Sequence, residues 1–212
     1  MAYDESVFVN CPFDTRYQPF LRALVFTVHD CGFVARSALD TDDSSDVRIA
    51  KVYRLIEECR YGIHDICRTE RDTNTRLPRF NMPLELGIYL GAKKYGSSPH
   101  DGKRCLVLDR QPYRYQKFCS DIAGQDIKSH DNRVRTMVSV VRNWLRQWIR
   151  EPGARIPGGD VVHQRYQGFK RALPVMCGTQ QLDLRNLAFI DYQKLMIGWL
   201  RENSQVAGPI VG

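Results

Sequence analysis

The chain has 212 residues, 43% of them hydrophobic and 26% charged, with a formal net charge of +7. This composition fits one ordinary globular domain with a real apolar core and room for a small appendage. The apolar runs fall short of the roughly 18 to 20 residues that a membrane helix needs, and the first residues lack the order of a secretory signal. We therefore expect a cytoplasmic protein without a membrane partner.

Strand-like runs alternate with helical patterns through the first half of the chain. The run SVFVNC at 6–11 is short and β-branched, and the apolar residues of 17–32 recur at helical spacing. Further strands are predicted at 33–38, 61–67 and 103–109, and further helices at 46–60 and within 77–96. The alternation predicts an α/β fold with a mainly parallel sheet of about five strands, covered by helices on both faces.

The pattern changes beyond Asp109. A short helix within 113–127 and an edge strand near 126–129 complete the sheet domain, which we place at residues 1–130. Residues 131–212 are predicted to form a helical extension. It contains a helix at 131–150, a Pro- and Gly-rich linker at 151–159, and helix candidates at 161–174 and 189–203. The last two are too short to build a core, so we expect them to pack on the sheet or in the interface of a homo-oligomer.

The positive charge is concentrated in the C-terminal half, mainly in residues 131–171. A basic surface suits nucleic acid, anionic nucleotides or an acidic protein face, and a solvated helix face is the alternative. The seven cysteines are an odd number and include no CxxC pair, which argues against a disulfide framework and against a zinc site. We expect reduced thiols and no metal.

Polar side chains follow the predicted strands, at the edge of the sheet where ligands bind in parallel α/β folds. These candidates for substrate binding are Asn10, Pro12, Phe13, Asp14, Arg36 and Ser37, and Asp65 closes the third strand. Arg36, Arg68 and Arg79 are the types of side chain that bind phosphate, although each could also pair with neighbouring acids. Phe13 could stack on a base or pack in the core. His64 points away from Asp65 by strand alternation.

Glu85 is the acidic residue in the otherwise apolar segment LPRFNMPLELGIYLGAKKYG. Asn81 is predicted to cap a helix whose first turn is Met82, Pro83 and Leu84, with Pro favoured at a helix start. Glu85 would then stand near the helix N-terminus, on the same rim as Asn81, which is a further candidate for substrate binding. A carboxylate there is either a site residue or simply favourable to the helix dipole.

Four motifs in order resemble nucleoside 2-deoxyribosyltransferases and the related Toll/interleukin-1-receptor-like (TIR-like) domains that cleave N-glycosidic bonds. They are VFVNCPFD before a helix, IHD closing a strand, ELGIYLGAKKYG, and the strand CLVLD, together spanning roughly residues 6–110. The resemblance implies a flavodoxin-like sheet and a catalytic role for Glu85, which is followed by Leu86 as in TIR-like domains. The chain departs from the transferases at Asn10-Cys11 and from the TIR-like domains at RFNMP, as a divergent relative would. Bacterial TIR-like relatives often act as anti-phage defence effectors, and the resemblance implies that setting.

The chemistry suits a carboxylate. Cleaving a glycosidic bond develops positive charge on the sugar, which Glu85 could stabilise or attack. A cationic leaving group such as the nicotinamide of NAD needs no acid, whereas a neutral base needs protonation, for which Asp65 and Asp14 are the candidates. We therefore expect an N-glycosidase or transferase that takes NAD, a nucleoside or a nucleotide as substrate and needs no cofactor. The alternative is a non-catalytic nucleotide-binding or assembly module.

Overall fold

The computed structural model describes residues 2–41, 43–71, 76–149 and 156–203. Within these ranges five strands form one sheet, in which every pairing is parallel and the order is β2-β1-β3-β4-β5. The strands are β1 (Ser6–Asn10), β2 (Val34–Arg36), β3 (Tyr61–Asp65), β4 (Arg104–Asp109) and β5 (Lys128–Ser129). This arrangement confirms the predicted α/β architecture with a parallel sheet of five strands.

Six α-helices flank the sheet in the described ranges. They are α1 (Gln18–Asp30), α2 (Arg48–Glu58), α3 (Asn81–Tyr95), α4 (Val134–Arg146), α5 (Gly159–Thr179) and α6 (Phe189–Glu202). Helix α5 is longer than the predicted segment 161–174, because it continues through Pro174. Most of the predicted linker at 151–159 lies outside the described residues. None of the described helices combines the length and the apolar character that a membrane span requires.

The central strands are buried on both faces, which explains why they read as continuous apolar runs. Every residue of β1 and of β3 is buried. Asn10 lies opposite His64 in the register of these two strands, and Asp65 lies opposite Leu108 of β4. The carboxyl ends of β1, β3 and β4 therefore meet at one edge of the sheet, as the alternating pattern predicted.

The chain leaves β1 toward β2 on one side and later returns to place β3 on the other side of β1. Such a reversal of strand order opens a crevice between the connections that leave the two neighbouring strands. Here the crevice lies between the turn after Asn10 and the loop after Asp65. It is the position at which an α/β sheet of this kind most commonly binds a ligand.

The C-terminal helices share one apolar core with the sheet. Val138 and Val141 of α4 are fully buried in the cluster that also contains β1 and β3. The ring centroid of Trp199 in α6 lies 6.0 Å from that of Phe26 in α1, and Trp144 lies 6.1 Å from Tyr61. The C-terminal helices thus pack on the sheet domain, which is one of the two predicted alternatives, and the homo-oligomer stays a prediction.

Gly62 of β3 offers a test of the packing between β3 and α3. A Cβ atom there would lie 2.6 Å from Nε2 of His64 and 2.9 Å from the Tyr89 ring, and both side chains are fully buried. We expect Gly62→Ala to lower the free energy of unfolding by about 1 to 3 kcal/mol, because neither neighbour can move cheaply. Urea denaturation measures the change.

The matched control is Gly87→Ala in α3, where a new Cβ would meet nothing within 4 Å. Alanine favours a helix over glycine by about 0.8 to 1 kcal/mol, so this variant should be slightly more stable than the wild type. Equal urea midpoints for the two variants would contradict the close packing around Gly62.

Candidate active site

A pocket of about 270 Å³ opens at the crevice, between the turn after β1 and the start of α3. It is lined by Pro12, Phe13, Asp14, Arg48, Arg68, Arg79, Asn81 and Met82. Five of these residues, Pro12, Phe13, Asp14, Arg79 and Asn81, are among those that the sequence predicted for substrate binding. The structure thus brings residues from two distant segments of the chain to one cavity.

Glu85 does not itself line this cavity, but it lies one helical turn beyond Asn81, which does, and we call the cavity the Glu85 pocket. Glu85 is four residues after Asn81 in α3, and side chains at this spacing share one face of a helix. Glu85 is only 7% exposed, and among the described residues its carboxylate has no hydrogen bond or ion pair. Burial raises its pKa to about 7, partly offset by the positive charge of Arg48. A buried carboxylate without a partner is costly to the fold, which is typical of a functional group.

The predicted cap of α3 was wrong. Asn81 is the first helical residue, and Phe80 stands at the N-cap position without a capping side chain. Glu85 is therefore in the second turn of the helix, and the first turn contains no acidic residue. Because the helix dipole acts mainly within the first turn, it gives little reason for a carboxylate at this position.

Two contacts between lining side chains form part of the pocket wall, one between Arg48 and Phe13 and one between Asp14 and Arg68. The guanidinium carbon of Arg48 lies 5.6 Å from the ring centroid of Phe13. Asp14 lies 3.4 Å from the guanidinium of Arg68 and also accepts the backbone N–H of Arg16 at 3.0 Å. Sequence reasoning missed Arg48, because it is an exposed residue at the start of α2 and belongs to no motif.

Asn10 supports the pocket without lining it. Its amide nitrogen donates to the carbonyl oxygen of Met82 at 3.0 Å and lies 3.0 Å from Nδ1 of His64. Burial, together with the charge of Lys103, lowers the pKa of His64 to about 3, so this imidazole is neutral. Asn10 thus holds the end of β1 against the first turn of α3, which positions Glu85 relative to the turn after β1.

Asp65 lies on the other face of the sheet and does not line the Glu85 pocket. It is fully buried, and it accepts hydrogen bonds from the hydroxyl of Tyr17 and, at 3.0 Å, from the backbone N–H of Cys67. Nε2 of His130 lies 3.2 Å from its Oδ2. These contacts join β3 to α1 and to the loop before α4. The structure shows Asp65 as an anchor between elements rather than as a partner of Glu85.

Arg36 and Ser37 are also outside the pocket. The guanidinium of Arg36 pairs with Asp40 at 3.2 Å and with Glu58 at 3.0 Å, and Asp40 also accepts the backbone N–H of Ser37. Both predicted residues therefore hold the loop after β2 against the end of α2. Their polar groups bind other residues of the fold and do not face the pocket lining.

Three buried side chains could hold a metal ion by distance alone. The ligand atoms of Asp65, Cys67 and His130 lie within 4.8 Å of one another. However, Nδ1 of His130 accepts the backbone N–H of Asn132 at 3.2 Å, which leaves the ring proton on Nε2, toward Asp65. Since both carboxylate oxygens already accept hydrogen bonds, the hydrogen-bonding pattern favours a closed polar cluster over a cation site.

A larger cavity lies elsewhere. About 370 Å³ lies between the edge of β4 and helix α4, beside Trp144 and Cys105. Its two charged residues, Asp126 and Lys128, pair with each other at 2.6 Å. We favour the smaller Glu85 pocket as the site, because three arginines line it at the strand ends and one of them, Arg48, acts electrostatically on the buried carboxylate of Glu85.

No known family model matches this chain, and neither does a curated protein or a solved structure. The function of the pocket therefore has to follow from its own residues.

Proposed function

We propose that the protein cleaves an N-glycosidic bond of a nucleotide-like substrate, with Glu85 as the catalytic carboxylate. The observation that carries this proposal is the burial of Glu85 without a hydrogen-bonding or ionic partner among the described residues, one helical turn beyond Asn81, which lines a polar pocket. A carboxylate held in this way is available to a ligand, whereas structural carboxylates in the same protein, such as Asp65 and Asp109, already have partners.

The environment suits a developing sugar cation. A partly desolvated carboxylate interacts strongly with positive charge, because little water screens the pair. Arg48 lies close enough to favour the ionised form of Glu85 without forming an ion pair with it. The ring of Phe13 and the side chain of Met82 provide apolar surface for a base in the same pocket. Glu85 would stabilise the oxocarbenium ion or form a glycosyl ester with it.

Asp14 is the better candidate for a second acid. It lines the pocket, whereas Asp65 does not. Asp14 lies 3.4 Å from the guanidinium of Arg68 and accepts two backbone N–H groups. Because Asp14 is the one acid among the lining residues and these contacts hold it within the fold, we favour a substrate whose leaving group is already cationic, as in NAD, over a neutral nucleoside.

The proposal is supported by the resemblance of the motifs VFVNCPFD, IHD and ELGIYLGAKKYG to those of TIR-like domains and nucleoside 2-deoxyribosyltransferases. A flavodoxin-like fold is compatible with the parallel sheet and its flanking helices. A role as a bacterial defence effector belongs to the same proposal and rests on this resemblance alone.

A non-catalytic nucleotide-binding module is the second candidate. Arg48, Arg68 and Arg79 line the pocket, and such a set favours retention of phosphate whether or not a bond is cleaved. Incubating the purified chain with NAD and with a panel of nucleosides, followed by chromatography for the free base, separates the two functions. Release of base supports the enzyme. Binding without release from any substrate supports the module.

The pKa of Glu85 sets the pH dependence of the reaction. If the carboxylate form is required, kcat/KM for NAD should rise about tenfold per pH unit below pH 7 and become level above it, because the pKa is about 7. Initial rates at low NAD concentration between pH 5 and 9 measure this profile. A profile that instead falls through pH 7 would show that Glu85 acts as an acid and would contradict its role as an anionic stabiliser.

A further inference from the structure

A second cavity of about 190 Å³ lies beside the Glu85 pocket, on the α1 side of the crevice. It is lined by Arg16, Tyr17, Phe20, Cys67, Arg68, Arg110, His130 and Asn132. Arg68 lines both cavities. Drug-sized ligands usually occupy about 300 Å³ or more, so this cavity fits a small group rather than a whole nucleotide.

Three arginines, Arg16, Arg68 and Arg110, line this cavity, and nearby acidic side chains neutralise their charge only in part. Arg68 pairs with Asp14 at 3.4 Å, and the two side chains are 33% and 40% exposed. Arg110 pairs with Glu70, which is similarly exposed. The guanidinium of Arg16 has no hydrogen bond or ion pair with any described residue. Because exposed ion pairs are weak, an anion of higher charge can replace these carboxylates.

The cavity also contains a donor without an acceptor. Nε of Arg110 is buried and has no hydrogen-bond partner among the described residues. Nε2 of His130, by contrast, faces the carboxylate of Asp65 at 3.2 Å. Buried donors in native proteins are nearly always paired, so an anion bound in this cavity would supply the acceptor that Arg110 lacks.

We propose that this second cavity binds a phosphoryl group. Phosphate presents several anionic oxygens, which matches the planar donors of Arg16, Arg68 and Arg110. A cation is disfavoured in the same place, because three guanidinium groups line it. The site does not depend on the reaction at Glu85, and it extends the binding surface of the crevice beyond the pocket that this residue serves.

Inorganic pyrophosphate is the probe, titrated into the full-length chain by calorimetry at low salt. We expect the double variant Arg16→Gln/Arg110→Gln to weaken binding by about tenfold or more, because it removes two charged donors. The matched control, Arg146→Gln/Arg171→Gln, removes the same charge from exposed positions of α4 and α5. It should change the affinity by less than about twofold, since distant exposed charges are screened by salt. Melting temperatures check that all variants fold.

The outcomes are distinct. No pyrophosphate binding by the wild type, or equal weakening in both double variants, overturns the proposed site. Glu85→Gln should bind pyrophosphate as the wild type does, so the phosphoryl site and the cleavage of a glycosidic bond can fail separately. If pyrophosphate competes with NAD in the base-release assay, the phosphoryl group belongs to the substrate. If pyrophosphate binds without competing with NAD, the phosphoryl group that the second cavity binds belongs to a separate ligand.

Discussion

Glu85→Gln is expected to reduce the release of base by about 10³-fold or more while leaving ligand affinity nearly unchanged. The substitution keeps the shape of the side chain and removes the charge that would face the sugar cation, and each tenfold in rate corresponds to about 1.4 kcal/mol of transition-state stabilisation. Single-turnover base release and equilibrium binding of NAD, measured on one preparation, give the two quantities. A Glu85→Gln variant with full activity would end the catalytic assignment.

The same variant should be more stable than the wild type at alkaline pH. The pKa of Glu85 is raised from 4.5 to about 7, so the folded chain holds a proton between these values that the unfolded chain has lost. Stability therefore falls as pH rises through this window, and the ionised side chain costs about 1 to 3 kcal/mol above pH 7. Glutamine removes that cost, so its advantage should be present at pH 8 and absent near pH 4.

The matched control is Glu57→Gln, which removes a carboxylate from an exposed position of α2. Its urea midpoint should stay close to that of the wild type at both pH values, since exposed substitutions usually change stability by less than about 0.5 kcal/mol. A loss of stability in Glu85→Gln at pH 8 would show that the carboxylate has a structural partner.

Asp65→Ala should lower the free energy of unfolding by about 3 to 5 kcal/mol, because it leaves buried donors without their acceptor. The hydroxyl of Tyr17 and the backbone N–H of Cys67 both donate to this carboxylate, and Tyr17 is only 2% exposed. Chemical denaturation measures the loss. Asp126→Ala, at an exposed side chain, should cost little and serves as the control.

The Asp65 variants also separate an anchor from a catalytic acid. An Asp65→Ala chain that is as stable as the wild type but inactive would restore the role that the sequence predicted for this residue. An unstable chain whose residual folded fraction keeps its activity would confirm that Asp65 holds β3, α1 and the loop before α4 together.

The sequence predicted the sheet and its order of elements because the buried strands and amphipathic helices carry strong periodic signals. It also indicated that His64 and Asp65 face opposite ways. It did not show which of the two faces α3, and the structure places the ring centroid of His64 4.9 Å from that of Tyr89 in α3. Asp65 consequently faces α1, away from Glu85, because the choice of face depends on how distant helices pack.

The position of Arg48 in the pocket could not be predicted from the sequence. Arg48 reaches the pocket only because α2 starts beside the turn after β1, a contact that no local pattern encodes. Glu85 stands out in the sequence because it interrupts an apolar helix, which is a local signal. Its burial and raised pKa could not be predicted, since both depend on neighbours that lie far away in the chain.

The shared core of the sheet and the C-terminal helices has a consequence for synthesis on the ribosome. Val7, Val9 and Ile63 are fully buried in the same cluster as residues of α4, α5 and α6. The strands leave the ribosome long before these helices, so this apolar face of the nascent sheet stays partly uncovered until nearly the whole chain has been made. A chain that ended before Val134 would expose that face permanently and be prone to aggregation.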